Sequence, residues 1–161
     1  FRLLNNRQKA YISGKIDFEL EMMSHEQDSE NMLDVLVLTG NMEDGMVLDS
    51  ANEERIYCPE YIKKYGERLH CGIRITYNHL NPVYVRNDIL GISKKPPRDG
   101  DTCILIHKPT GRAFIRKIQE GNPCQLLPIN GYGDIITVDT NDHTDMGQWL
   151  KFGVVIAVLR R

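Results

Sequence analysis

The sequence predicts a single mostly β domain with at most one or two short helices. Short runs of Val, Ile and Leu recur along the chain, and turns rich in Gly, Pro and Asp separate them, as in antiparallel strands joined by tight connections. Several segments alternate apolar and polar residues with the period of a strand. At 161 residues the chain is long enough to bury a core in one domain. We therefore expect short, twisted, partly barrel-like antiparallel sheets.

The N-terminal 34 residues are predicted to be an arm or linker, and residues 35–161 to be the domain proper. In the arm, apolar residues from Ile16 to Met22 alternate with acidic ones, which indicates an extended or strand conformation. A short helix is predicted at 60–68, where apolar residues recur at helical spacing, and a polar loop at 141–147. The predicted strands cover residues 33–38, 53–59 (a short edge strand that Pro59 closes), 72–77, 88–92, 102–106, 112–118, 135–138 and 150–159.

The charge of the chain argues against direct binding to nucleic acid. Lys and Arg number 20 against 22 Asp and Glu, a net charge of -2, so the chain carries no basic footprint. No apolar run approaches the length needed to cross a bilayer, and no signal peptide opens the sequence. We expect a cytoplasmic protein without membrane contact.

The cysteines and histidines predict no metal or cofactor site. The four cysteines are widely spaced, with no C-x-x-C pair, and are predicted to be buried thiols rather than disulfides: Cys58, Cys71, Cys103 and Cys124. His70 beside Cys71, or His107 near Cys103, could be argued into a zinc site. Their spacing fits no common zinc pattern. We therefore expect neither a metal nor a cofactor.

The stretch from Tyr77 to Ile106 organises the rest of the chain. Asn81 and Pro82 predict a bend, because proline fixes its own φ and disfavours the helical region for the residue before it. A buried strand follows at 88–92. A solvated connection then ends in an Asp-Gly turn at 99–100, after which the next strand begins at Thr102.

This order of loop, Pro, Asn-Asp, apolar run, Arg-Asp-Gly-Asp turn and second apolar run resembles one family. It is similar to the C-terminal domain of LexA, UmuD and the lambdoid phage repressors, the LexA-like serine peptidase fold. In that family the loop reads Ser-Met-Glu-Pro, and its serine is the nucleophile of a Ser-Lys dyad that cuts the protein's own hinge. The matching residues here are His79, Leu80, Asn81 and Pro82. The resemblance therefore implies that the nucleophile is missing.

The resemblance implies that the general base is missing as well. Family members place its lysine in a Val-Lys-Arg-hydrophobic context, which matches Ile115, Arg116, Lys117 and Ile118 here. Arginine stays protonated at any pH that a protein survives, so Arg116 cannot take a proton from a nucleophile. Lys117 does not rescue the dyad, because a shift of one residue along a strand moves the side chain to the other face. We expect Lys117 to face solvent.

The position that matches the cleavage site is also altered. In the family the scissile bond is usually Ala-Gly, five residues beyond a glycine and about thirty-five before the serine. Gly45 lies five residues after Gly40 and thirty-four before His79, but Asp44 precedes it. A charged side chain entering a pocket shaped for a methyl group carries a desolvation cost. Cleavage between Asp44 and Gly45 is therefore not expected.

Two further pieces extend the resemblance over residues 35–161: a Leu-Leu-Pro-x-Asn motif at 126–130 and the terminal apolar run at 153–160. The resemblance implies a regulatory and self-association domain of a phage-type transcriptional repressor, a pseudo-peptidase that pairs with itself as a homodimer or higher oligomer through sheet edges. DNA would be bound only through a helix-turn-helix upstream of Phe1. With cleavage disabled, an antirepressor protein or a ligand in the old cleft would relieve repression.

Two other readings stay open. The chain could be an active serine autopeptidase with a shifted dyad, using Ser50 or Ser93 with Lys117 or Lys95. Ser93 is expected in an exposed place between strand and basic turn, with nothing nearby in sequence to lower its pKa. Alternatively, the chain could be a small β domain that binds a ligand or a protein and regulates no gene.

Overall fold

The computed structural model describes residues 30–41 and 45–160. Residues 1–29 of the arm predicted at 1–34 lie outside the described residues. Asp44, at the cleavage position, also lies outside them. The first strand begins at Met32, inside the stretch that the sequence assigned to the arm.

The described residues form nine strands and two short helices, the first helix continuing into a 3₁₀ turn. In chain order they are β1 (Met32–Asn41), β2 (Gly45–Tyr57), α1 (Pro59–Tyr65), the 3₁₀ turn (Gly66–Arg68), β3 (Cys71–Ile75), β4 (Ile89–Ser93), β5 (Thr102–His107), β6 (Arg112–Gln119), β7 (Cys124–Pro128), β8 (Ile136–Val138), α2 (His143–Gly147) and β9 (Trp149–Leu159). The predicted mostly β fold with few short helices is confirmed.

All nine strands belong to one sheet that closes into a ring. Its order is β2-β1-β3-β4-β9-β5-β6-β7-β8, and an additional pairing joins β2 to β6. That pairing consists of Met46 opposite Ala113. Seven strands therefore form the ring, while β7 and β8 extend from β6 beyond it. The strand pairs are antiparallel, as expected, except for one, since β1 and β3 run parallel. They can do so because β2 and α1 provide a long crossover between them.

The core lies inside the ring and around β4. All five residues of β4 are buried, because β3 and β9 flank the strand and side chains cover both of its faces. The largest core cluster takes Ile73 and Ile75 from β3, Leu90 and Ile92 from β4, and Ile115 from β6. Alternation along these strands delivers the side chains to one face. A second cluster lies between β5, β7 and β9.

Two elements differ from the sequence expectation. The short edge strand predicted at 53–59 overlaps the end of a 13-residue strand, β2, which stops at Tyr57, pairs along β1 and also reaches β6. The loop predicted at 141–147 contains the short helix α2. Asp142 caps it, accepting hydrogen bonds from the backbone amides of Thr144 and Asp145. None of the residues of α2 is buried, so no apolar periodicity marked it in the sequence.

The four cysteines match the prediction of thiols without disulfide partners. Cys58, Cys71 and Cys103 are buried and Cys124 is half-buried, with no disulfide among them. Among the described residues, no helix has the length and apolar character that a membrane crossing requires.

Candidate functional site

A cavity of about 420 Å³ lies beside β6, at the place where β2 and β7 diverge along the same edge of that strand. It brings together two residues that the sequence singled out, His79 and Arg116, which are 37 positions apart in the chain (116 − 79). Met46, which follows Gly45 in β2, also contributes to the wall. The full lining is Met46, Tyr77, Asn78, His79, Leu80, Asn81, Ala113, Phe114, Ile115, Arg116, Asn130, Tyr132 and Gly133.

The loop that carries His79 is fixed by the side chain of Asn130. The Asn130 amide nitrogen donates to the carbonyl oxygens of His79, at 2.7 Å, and Asn81, at 2.8 Å. Its amide oxygen accepts from the backbone N–H of Tyr132 at 3.2 Å. One side chain thus joins the loop before β4 to the segment after β7, and residues of both segments line the cavity.

His79 itself lies at the rim of the cavity. Its side chain is exposed, and its imidazole ring lies 4.9 Å from the ring of Tyr77, centroid to centroid, in a tilted arrangement. The imidazole is therefore accessible to solvent.

Arg116 lines the cavity, and its side chain is half-buried. Its Nε is buried and has no hydrogen-bond partner among the described residues. Its Nη1 donates to the carbonyl oxygen of Ile115 at 3.2 Å, and its Cζ lies 5.4 Å from the ring centroid of Phe114. Burial lowers the pKa of Arg116 from its ordinary value, while Tyr77 and Asp134 act in the opposite direction. Arg116 still remains a cation at neutral pH.

Tyr77 lies between His79 and the guanidinium group. Burial raises the pKa of the Tyr77 phenol above its ordinary value, although the charge of Arg116 acts in the opposite direction. The phenol is therefore neutral at physiological pH, and the side chain presents a ring and a hydroxyl group to the cavity.

Lys117 points away from the cavity. It is exposed, whereas its neighbours Ile115 and Ile118 are buried. The prediction that Lys117 faces solvent is confirmed. Arg116 and Phe114 are two residues apart in β6 and share a face, as strand alternation requires.

Ser93 is not exposed, so that expectation was wrong. Only 3% of the residue is accessible, because it is the last residue of β4 and packs where β9 approaches closely. Its Oγ accepts a hydrogen bond from the backbone N–H of Lys95 at 3.2 Å. The Lys95 ammonium group lies 3.8 Å from the Asp101 carboxylate instead. Of the other cleavage candidates, Ser50 and Gly45 lie in β2.

The part of the lining that follows β7 was missed by sequence reasoning. Asn130, Tyr132 and Gly133 border the cavity next to the His79 loop, to which the Asn130 side chain is hydrogen-bonded. The motif that ends at Asn130 was visible in the sequence, but its amide could be assigned a role only once its two acceptors were located.

The described lining residues combine one cation, Arg116, with three Asn side chains and three aromatic rings of Tyr or Phe. They include no serine and no lysine, so they hold no hydroxyl–amine pair of the Ser-Lys type. No protein-family model matches the chain, and no curated protein matches it either.

Proposed function

We propose that this chain is the regulatory and self-association domain of a phage-type transcriptional repressor that resembles the LexA-like self-cleaving domain and has lost self-cleavage. The observation that supports it best is the meeting of His79, Arg116 and Met46 in one cavity. The resemblance assigns the first two to the nucleophile and the base, and the third lies just beyond the cleavage position. Three distant parts of the sequence thus converge as that family's mechanism would require.

The same residues explain why cleavage would be lost. An imidazole in place of the serine hydroxyl supplies no oxygen nucleophile for an acyl transfer. A guanidinium group in place of the lysine cannot accept the proton that the nucleophile must lose. Removing either function of a coupled pair abolishes most of its catalysis, so the pair of changes leaves a pseudo-peptidase.

An incompletely paired strand supports self-association. On its β5 side, the pairing of β9 in the described part of the chain ends at Val154, whereas on its β4 side it continues to Leu159. Residues 155–159 thus present one backbone edge along which a second copy could add a strand, although Tyr61 Oη donates to the carbonyl oxygen of Val158 at 3.0 Å. A two-fold axis through this edge would pair the same strand of both copies.

In this proposal, dimerisation of the domain controls how much of the DNA operator is bound by the repressor. Two helix-turn-helix modules upstream of Phe1, each a weak binder alone, gain affinity when a dimer holds them at the spacing of two half-sites. The protein would act in the cytoplasm, where cysteines without disulfides are the rule. An antirepressor protein or a ligand would relieve repression in place of cleavage.

The absence of self-cleavage is tested by incubating the chain with activated RecA filament and, separately, at alkaline pH, with a cleavable LexA protein in parallel. We expect the chain to stay intact in both. A clean pair of products split near Gly45 would overturn the proposal. The Ser93→Ala and Lys117→Ala variants, made singly, would then show whether a shifted dyad is responsible.

Self-association is tested by sedimentation at increasing concentration. We expect a dimer, and we expect Ile156→Lys to shift it toward monomer by placing like charges across the β9 edge. Leu150→Lys is the matched control, because Leu150 is 47% exposed at the other end of the same strand. A dimer that both variants leave intact would place the interface elsewhere.

The link to transcription has a simple test. The reading frame upstream of Phe1 should encode a helix-turn-helix, and the longer protein should bind DNA with two-fold symmetric half-sites. A reading frame without such a module would favour a β domain that binds a ligand or protein and regulates no gene.

A further inference from the structure

The described lining of the cavity beside β6 holds a positive charge and no acidic side chain. Arg116 is the only Lys or Arg among these residues, and no Asp or Glu is among them. None of the salt bridges found between described residues includes Arg116. Within the same part of the chain, its guanidinium group makes one hydrogen bond, to the carbonyl group of the preceding residue, and its buried Nε makes none.

This environment of the Arg116 guanidinium group is unfavourable unless a bound group supplies a hydrogen-bond acceptor and a negative charge. A buried donor without a partner and a cation without a counter-ion both carry a desolvation cost. Asp134 is close enough for its charge to act on Arg116, but it is exposed, and its charge opposes the effect of burial only in part. A planar guanidinium group fits a carboxylate, which can accept two hydrogen bonds from it side by side.

The rest of the cavity indicates what the carboxylate would be attached to. The rings of Tyr77, Phe114 and Tyr132 and the side chains of Met46 and Leu80 supply apolar surface. Tyr132 is 80% exposed, so apolar contact would bury surface that now faces water. The volume of about 420 Å³ lies within the range of small-molecule sites.

We propose that this cavity binds a carboxylate carried by a small apolar or aromatic body, with the guanidinium group of Arg116 receiving the carboxylate. The carboxylate comes either from a free organic acid or from the C-terminus of a peptide, which share this chemistry. The inference concerns binding alone, so it stands or falls independently of the repressor role.

Hydrocinnamate is a suitable probe, with hydrocinnamamide as its neutral counterpart of nearly the same shape. We expect isothermal titration of the full chain to detect hydrocinnamate with a dissociation constant below about 10 mM, and to find the amide at least about tenfold weaker. Equal binding of acid and amide, or no binding of the acid at about 10 mM, would overturn the proposal.

Two variants of neighbouring residues locate the bound charge. Arg116→Gln removes the buried guanidinium group, and Lys117→Gln removes one positive charge from the exposed side of the same strand. We expect the first to weaken hydrocinnamate at least about tenfold and the second to change it less than about twofold. A comparable loss in both variants would indicate nonspecific charge attraction and would contradict the proposal.

A third variant covers the case in which Arg116→Gln does not fold. Arg116→Lys keeps the charge but loses the planar fork, so we expect intermediate affinity and retained preference for acid over amide. Amide chemical shifts of residues 77–81 and 130–133 should move on titration, while those of β8 should not. Shifts confined to other parts of the chain would place the ligand elsewhere and refute the assignment.

A peptide probe distinguishes the two sources of the carboxylate. Acetyl-Ala-Ala-Phe with a free C-terminus would bind more tightly than hydrocinnamate if the cavity accepts a peptide end, and more weakly if it is built for a free acid. In either case its amidated form should bind at least about tenfold more weakly. Equal binding of the two peptide forms would contradict the role of Arg116.

Discussion

The guanidinium group of Arg160 donates from Nε to both carboxylate oxygens of Asp88, at 3.1 Å each. Arg160 follows β9, and Asp88 immediately precedes β4. Asp88 is 2% exposed and also accepts from the backbone N–H of Val85, while Arg160 Nη2 donates to the carbonyl oxygen of Val83. The pair therefore ties the C-terminal strand to the loop that runs from the cavity to the core.

Arg160→Ala should destabilise the fold by leaving the buried carboxylate of Asp88 without its cationic partner. Hydrogen bonds to charged groups contribute about 1.5 to 3 kcal/mol, and the 56% exposure of the Arg160 side chain favours the lower end, about 2 kcal/mol. Urea unfolding measures the change. Arg98→Ala, at an exposed position on the surface, should change stability by less than about 0.5 kcal/mol. Equal effects of the two variants would show that the Asp88 pair contributes little.

Gly153→Ala should be strongly destabilising because there is no room for a methyl group. A Cβ at Gly153 would overlap Cγ2 of Ile92 and would lie 2.9 Å from the carbonyl oxygen of Ser93. Overpacking of this kind costs about 1 to 3 kcal/mol. Gly147→Ala is the matched control, since nothing lies within 4 Å of a Cβ there. Thermal unfolding should separate the variants, and a stable Gly153→Ala protein would contradict this packing.

Asn130→Ala should loosen the His79 loop while leaving the core strands in place. The variant loses the donor to the carbonyl oxygens of His79 and Asn81, at a cost of about 1 to 2 kcal/mol. Asn130→Asp should be worse, because a carboxylate cannot donate and would face two carbonyl oxygens. Hydrogen exchange should accelerate at the amides of Asn81 and Tyr84 and stay unchanged at Ile104 in β5. Unchanged exchange at Asn81 would show that the amide does not hold the loop.

Stability should decline at alkaline pH through two buried thiols. Burial raises the pKa of Cys71 and of Cys103 to about 11, from an ordinary value of 9.0. The folded chain holds these protons more tightly than the unfolded chain does. The contribution of the two protonated thiols to the free energy of unfolding is therefore complete below about pH 9 and is lost as the pH rises through about 11. Urea midpoints at several pH values measure it. The Cys71→Ala, Cys103→Ala double variant should show a smaller decline, and an equal decline would assign it to other groups.

Most strands could be predicted from the sequence because their patterns are local. Short apolar runs such as residues 89–92, and the alternation in β6, indicate strands whatever they pair with. The length of β2 could not be predicted in this way. Its polar residues around Asn52 and Glu53 lack a continuous pattern, and its pairing with β1 shifts register between Val35 and Val37. Only the partner strand shows that these residues continue the sheet.

Only some of the residues that line the cavity could be predicted from the sequence. The resemblance singled out His79 and Arg116, and strand alternation set Lys117 aside, but the place of Asn130 and Tyr132 beside them depends on hydrogen bonds across about fifty residues of sequence. The burial of Ser93 likewise depends on contacts between residues that are distant in the sequence. Its sequence neighbours Lys94 and Lys95 suggested solvent, whereas the close approach of Gly153 from β9 covers it.

The pairing of Met46 with Ala113 has a mechanical consequence. Among the described residues it is the single backbone pairing between β2 and β6, so the ring of seven strands is closed there by its shortest ladder. This pairing borders the cavity, because Met46 and Ala113 both line it. Local opening of a native protein begins where the fewest bonds must break. A molecule bound at Arg116 would therefore lie next to the pairing that closes the ring. A displacement at the start of β2 would in turn change the shape of the cavity.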